Sequence, residues 1–323
     1  MDSIGPVVSL EEAIMELEAG GIRLSGKFEE IESLNKFETR KYLVRVDDGT
    51  LNGHPAVLKL YMPSSYRKDR NEVACSEIAR DGGVPVPEII YPGFPEDANG
   101  FILVDYVDSL TLKEAGRRGH PRYRNMVSEA AAIMAGFHRI KSPIFGYPSG
   151  ESGSRCLSDF VFERIDAAIE ALEPMKAKSD VELAMKVYDA LRGRVETSML
   201  DGMKEFEFVH GDYNDNNVLV DPGKGRVKAV IDWKRGHYGN RHADPGHPVR
   251  IINREHPRTR EGDLFMMEYD RSHGEPHDKM LYEFFDDVRT LMLSLYGLRT
   301  GEYGNLYSLK SVARKYQTPS RIS

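Results

Sequence analysis

The sequence predicts an α+β chain in two parts: a small N-terminal antiparallel sheet with one helix, then a larger, mainly helical part. Three observations predict it. Up to residue 105, short apolar strand-like segments alternate with Gly, Pro and Asn-Gly breaks. After Asp105-Tyr106-Val107-Asp108-Ser109 the apolar residues recur at helical spacing. One tight hairpin, from Asn217 to Ile231, interrupts the helical part. The expected division therefore puts residues 1–105 in an N-terminal lobe and 106–323 in a C-terminal lobe.

The elements follow in order. Leu10 to Ala19 reads as a short amphipathic helix. Lys27 to Ile31, Lys41 to Val46 and Ala56 to Met62 read as strands, the last two broken by Asp48-Gly49-Thr50 and Asn52-Gly53. Asp69 to Arg80 reads as a helix ended by Gly82-Gly83. Val84-Pro85-Val86-Pro87 cannot be helical, because each proline restricts the residue before it. Glu88 to Tyr91 and Phe101 to Val104 complete a five-strand sheet. Met126 to Arg139, Leu157 to Leu172, Val181 to Val195 and most of Leu264 to Leu298 read as helices. The polar tail from Arg314 to Ser323 is expected to fray.

Bulk composition excludes several classes. With a net charge of −7, a broad nucleic-acid surface is not expected. No run approaches the length that crosses a bilayer, so no membrane partner is expected. Cys75 and Cys156 are the only cysteines and have no metal-type spacing, which fits a reducing compartment. Met1 to Gly21 is acidic and lacks a basic start and an apolar core, so it does not read as a signal peptide. A cytoplasmic location is the default expectation, and oligomeric state is unknown.

The chemistry sits in His210-Gly211-Asp212-Tyr213-Asn214-Asp215-Asn216-Asn217 and in Val230-Ile231-Asp232-Trp233. An aspartate is followed five residues later by an asparagine, and fifteen beyond that by a second aspartate. Phosphoryl transfer from a nucleotide uses such a set: one carboxylate orients the attacking hydroxyl, while a carboxamide and a second carboxylate hold Mg²⁺. Asp221-Pro222-Gly223-Lys224-Gly225 is a strong turn between two strand-like runs. Matched strands return the chain near its start, so the hairpin is expected to bring Asn217 and Asp232 together.

His210-Gly211-Asp212 with Asn217, then Ile231-Asp232-Trp233, resembles the catalytic loop and metal site of the aminoglycoside phosphotransferase and choline kinase group. The resemblance runs from about Ile31 to Asp244 and implies a protein-kinase-like two-lobe fold with ATP (or GTP) and Mg²⁺ as cofactors. It makes Asp212 the catalytic base, Asn217 and Asp232 the metal ligands, and His210 a structural brace. Lys59, a single lysine in the apolar strand Ala56-Val57-Leu58-Lys59-Leu60, would contact the α- and β-phosphates. A helix glutamate would hold it. Glu72 and Glu77 lie about 140° apart on the helix, so only one can face Lys59. The apolar residues lie nearer Glu77, whereas the spacing to the proline turn favours Glu72. In the linker, the Asp105 carbonyl and the Val107 amide would meet the adenine edge.

Several features depart from protein kinases. Ser33 to Arg40, where a phosphate-covering loop is expected, contains no glycine. Only eleven residues separate Asp232 from Asp244, and no Asp-Phe-Gly triplet or Ala-Pro-Glu element is present. Trp233 is followed by Lys234 where the family commonly has an acidic residue; the lysine either points to solvent or helps hold an anion. His138 and Asp244 match structural positions of the family. His237, His242 and His247 lack zinc spacing. The implied activity is transfer of the γ-phosphate to a hydroxyl of a small molecule: an aminoglycoside-like antibiotic, a macrolide, a sugar, homoserine or an amino alcohol. Asp263, Glu268, Asp270, Glu283, Asp286 and Asp287 favour an amine-bearing acceptor, whereas Arg250, Arg254, Arg258 and Arg260 argue the other way. The alternative is a nucleotide-binding pseudokinase or scaffold without transfer.

Overall fold

The computed structural model describes residues 8–31, 39–47, 53–62, 68–95, 99–150, 156–172, 179–194, 200–256, 258–300 and 306–317. The chain forms two compact units. The first joins the residues up to Phe137 with His210–Gly236; the second joins His138–Val209 with the residues from His237 onward.

In the first unit, five strands form an antiparallel sheet: β1 (Arg23–Glu30), β2 (Thr39–Asp47), β3 (His54–Tyr61), β4 (Ile89–Gly93) and β5 (Phe101–Asp105), in the order β1-β2-β3-β5-β4. β1 begins four residues earlier than sequence patterning indicates, because Arg23 and Leu24 pair with Asp47 and Val46. Helix α1 (Leu10–Ala19) starts in a capping box: the Ser9 hydroxyl accepts from the Glu12 amide, and the Glu12 carboxylate accepts from the Ser9 amide. Its Ala13 and Leu17 pack with Val44, Val46, Ala56, Leu58 and Leu103 on one sheet face.

The alternation of strand side chains sends Val57, Lys59 and Tyr61 to the opposite face. There Tyr61, Ile102 and Val104 meet Val73 of helix α2 (Lys68–Asp81). The glycine pair ends α2 as expected: Gly83 has φ +81°, its amide donates to Arg80, and Val84 donates back to Ala79.

A short strand β6 (Leu110–Thr111) leads into helices α3 (Leu112–Arg117) and α4 (Tyr123–Phe137). After the second unit's β7 (Lys141–Ser142), helices α5 (Leu157–Glu170) and α6 (Ser179–Arg194), and β8 (Phe206–Val209), the chain returns with the hairpin β9 (Val218–Asp221) and β10 (Arg226–Val230). β6 pairs with β9, and the Val227 amide donates 2.7 Å to Glu129 of α4. Residues 110–137 thus belong to the same compact unit as the hairpin and the sheet.

The second unit pairs β11 (His237–Gly239) with β8 and β7. The helical run predicted from Leu264 to Leu298 is broken at Gly274, whose φ is +89°. Among the described residues, the α-helices that follow β11 are α7 (Gly246–Glu255), α8 (Glu261–His273), α9 (Lys279–Thr300) and α10 (Leu306–Gln317). α5, α6, α9 and α10 share the core built on Phe160, Ile165, Leu191, Phe284, Leu291 and Leu309. Arg314 to Gln317, expected to fray, continue α10; 318–323 lie outside the described residues. Among the described residues, no helix is long and apolar enough to cross a membrane.

Candidate active site

The hairpin brings Asn217 and Asp232 to its open end. The Asp221–Gly225 turn closes with Gly225 N–H donating 2.8 Å to the Asp221 carbonyl, and at the other end Ile231 N–H donates 2.9 Å to the Asn217 carbonyl. Val230 N–H donates 2.8 Å to Pro85 O, so the end of β10 is also tied to the proline segment after α2.

The loop before β9 is held by its own side chains. The Asp212 carbonyl accepts from the side-chain amides of Asn214 and Asn217, both at 2.9 Å. Asn214 also donates 3.1 Å to Asp212 Oδ1, which orients that carboxylate. His210 accepts the Asp212 amide at Nδ1 (3.2 Å), so its proton sits on Nε2 and is donated to Ile231 O at 3.0 Å. One imidazole therefore joins the Asp212 loop to the strand end before Asp232. Its ring lies 4.4 Å from that of Trp233, which meets Phe137 edge-on at 5.3 Å. Gly211 has φ +72°, and a Cβ there would sit 2.3 Å from the Arg235 carbonyl. Only glycine fits that turn.

Lys59 Nζ donates to Glu72 Oε1, and Tyr61 donates its hydroxyl to Glu72 Oε2. All three side chains are buried, while Glu77 is exposed. Burial, then the Glu72 charge, pushes the Tyr61 phenol up. Helix α2 reaches the metal-type turn as well: Asn71 Nδ2 donates to Lys234 O (3.1 Å) and Gly236 O (2.9 Å). Neighbouring residues of one helix thus brace Lys59 and the turn after Asp232. Sequence reasoning passed over Asn71 and Tyr61, since neither carries a motif.

Lys234 does not point to solvent. It is 5 % exposed, with Nζ 3.7 Å from Asp232 Oδ1 and 3.4 Å from the Thr39 hydroxyl. The 3₁₀ turn Trp233–Arg235 directs it inward, following Asp232 in the left-handed conformation (φ 71°). Lys41, also unremarked in the sequence, lies 3.7 Å from Asp232 Oδ2. Burial pushes the Asp232 carboxyl up, but Lys234, Lys41 and Lys59 together hold it well below the usual carboxylate range.

The remaining positions are placed as follows. The Asp105 carboxylate accepts 2.6 Å from His54, and its amide donates to Glu88 O. The Val107 carbonyl accepts 3.1 Å from Ser109. His138 is fully buried, donating Nε2–H to Asp244 (3.1 Å) and accepting the Tyr269 hydroxyl at Nδ1 (2.8 Å). His242 bonds Asn240 and the Asp278 amide, His247 receives Arg250, and His237 packs on Phe160. Four acidic residues of α8 and α9 form ion pairs within their own unit: Asp263 with Arg260, Glu268 with Arg271, Asp286 with Arg250 and Asp287 with Lys315. Asp270 is hydrogen-bonded to the His277 ring. Residues 33–38 of the expected phosphate loop lie outside the described residues.

The site fits a hard cation with oxygen ligands. A carbonyl only accepts, so the end of Asn217 facing Asp212 O must be its NH₂, and its carboxamide oxygen faces away. Asp232 Oδ1 is buried and has no hydrogen-bond partner among the described residues. Buried oxygens without a proton donor are what Mg²⁺ or a similar ion coordinates.

The model of the phosphotransferase enzyme family (APH) matches residues 30–274, and the chain belongs to that family. An aminoglycoside 3'-phosphotransferase of Streptomyces fradiae is 27% identical over 50% of this chain and 56% of its own length. A hygromycin-B 4-O-kinase of Escherichia coli is 24% identical over 49% of this chain and 45% of its own. The matches thus span about half the length of these curated relatives. A solved ternary complex of a thermostable aminoglycoside phosphotransferase APH(4)-Ia mutant with AMP-PNP and hygromycin B superposes with a TM-score of 0.67. It is 16% identical, covers 94% of this chain and 97% of that one, and shows that the two share a fold. That fold is the protein-kinase-like one expected from the sequence.

Proposed function

We propose that this chain is an ATP- and Mg²⁺-dependent O-phosphotransferase acting on a hydroxyl of a small molecule. The observation that carries this reading is the joining of Asp212, Asn217 and Asp232 at one hairpin end by the Asn217–Asp212 and Ile231–Asn217 hydrogen bonds. Asp212 aligns the acceptor hydroxyl and takes its proton as the new P–O bond forms and ADP leaves. The Asn217 carboxamide oxygen and the Asp232 carboxylate hold Mg²⁺. When bound, the ion neutralises charge on the phosphates. Lys59, braced by Glu72, holds the α- and β-phosphates, and the Asp105 carbonyl with the Val107 amide meets the base. Such catalysis rests on positioning and charge, with no covalent intermediate.

The acceptor class is supported by the names of the relatives, both kinases of aminoglycoside-type antibiotics. A sugar or amino alcohol is the next reading. The enzyme is proposed to work in the cytoplasm, its nucleotide lobe ending near residue 105. Incubating the protein with ATP, Mg²⁺ and a panel of hydroxyl compounds, and reading the mass gain of one phosphate, tests this. Modification of an aminoglycoside-type compound is expected; repeating the assay with GTP fixes the nucleotide. Asp212→Asn should keep nucleotide binding and lose about 10²–10⁴-fold in turnover. Nucleotide binding without transfer to any acceptor would favour the scaffold reading instead.

A further inference from the structure

The linker after β5 is held from two directions inside the first unit. At its start, His54, the first residue of β3, donates 2.6 Å to Oδ1 of Asp105, the last residue of β5. The neighbouring Tyr106 amide donates 3.2 Å to Pro55 O. At its end, β6 pairs Leu110 with Val220 of β9, and Lys228 of β10 donates 2.7 Å to the Asp108 carbonyl. Lys228 is placed for this by a β-bulge: Val227 faces Val220 and Ala229 faces Leu219, so Lys228 is the extra residue of the ladder. A bulge re-aims the side chain it carries. Between the anchors, the Ser109 hydroxyl donates 3.1 Å to Val107 O. The Val107 amide has no backbone hydrogen-bond partner among the described residues.

We infer that His54 and Lys228 are positioning residues for nucleotide-base selection: they pin the linker so that it offers the base the Asp105 carbonyl and the Val107 amide in a fixed order. A carbonyl only accepts and an amide only donates. Adenine carries a donor amino group where guanine carries an acceptor oxygen. A pinned Asp105 carbonyl therefore accepts from adenine and opposes the guanine oxygen. Taking guanine requires the linker peptides to turn, and the His54–Asp105 and Lys228–Asp108 hydrogen bonds oppose that turn. Neither donor belongs to the core: the His54 side chain is 37 % exposed and Lys228 is exposed. Contacts so placed add little to folding stability, so a role in base selection is separable from a role in folding.

The inference rests on the nucleotide reading above, and the two can fail separately. Mg²⁺–ATP, Mg²⁺–GTP and Mg²⁺–tripolyphosphate are titrated by calorimetry into wild type, His54→Phe and Lys228→Met; each substitution keeps bulk and removes the donor. Wild type is expected to bind ATP at least about tenfold more tightly than GTP. Each variant should weaken ATP by about three- to tenfold, narrow the ratio of ATP to GTP affinity, and leave tripolyphosphate within about twofold. Lys228→Arg, which keeps a donor, should restore the ratio in part. A merely structural contact would lower Tm and weaken all three ligands alike. That result, or a ratio unchanged in either variant, overturns the inference and leaves the kinase reading standing. Wild type that binds GTP as tightly as ATP, or more tightly, also overturns it; binding of neither nucleotide overturns both.

Discussion

Glu72 holds two donors at once in the first unit, the Lys59 ammonium and the Tyr61 hydroxyl. With both Lys59 and Glu72 buried, removing one partner leaves an uncompensated charge, which costs about 3–5 kcal/mol. Glu72→Ala should therefore lower stability by that order in denaturant titrations. Lys59→Met combined with Glu72→Ala should be less damaging than the sum of the single changes, a coupling a double-mutant cycle measures. Lys59 was legible in the sequence because a lysine inside an apolar strand demands a partner. Its partner was legible only through chain order, since the apolar pattern of α2 pointed toward Glu77. Tyr61 was not legible: a tyrosine in a strand is ordinary until its hydroxyl is seen against a carboxylate.

Helix α2 acts as an element because it touches two parts of the site from adjacent residues. Asn71→Ala removes both hydrogen bonds to the Lys234 and Gly236 carbonyls and should cost about 1–3 kcal/mol in stability. Because those carbonyls belong to the turn after Asp232, the variant should need more Mg²⁺ for half-maximal transfer while its KM for the acceptor stays near wild type. Kinetics at varied Mg²⁺ check this; an unchanged Mg²⁺ requirement would sever Asn71 from the turn. The loop element has its own constraint at Gly211. Gly211→Ala combines a positive φ with a Cβ 2.3 Å from the Arg235 carbonyl. It should destabilise by more than about 2 kcal/mol, read as a lowered Tm.

Across the whole molecule, acid sensitivity is expected from the second unit. Burial, then Arg241, lowers the pKa of His242 to about 3, and His273 is lowered to about 4 by the same causes. His242 Nε2 accepts the Asp278 amide and His273 Nδ1 accepts an Arg241 N–H, so both rings are neutral when folded. Below an unfolded pKa of about 6.5 the unfolded chain binds more protons than the native one. Stability is therefore fully present above that pH and is lost as pH falls from about 6.5 toward 4 and 3. The slope contributed by His242 approaches about 1.4 kcal/mol per pH unit, and that of half-exposed His273 is smaller. Denaturant midpoints measured between pH 7 and 4 should fall in wild type and fall less in His242→Gln. Equal slopes would remove His242 as the cause.

What the sequence by itself determined is the local chemistry: strand and helix periodicities, the Asp221–Gly225 turn, the His210–Asn217 loop and the spacing that returns Asp232 to Asn217. These are short-range properties, set by side-chain pattern and turn geometry within a few residues. Tertiary structure alone decided what depends on residues far apart in the chain. It turned Lys234 inward beside Asp232, set Lys41 of β2 against the same carboxylate, and let Asn71 clamp a turn 163 residues away. It also paired Asp263, Glu268, Asp286 and Asp287 of α8 and α9 with arginine or lysine partners. Charge and hydrogen bonding act through space, and only folding fixes which distant groups share it.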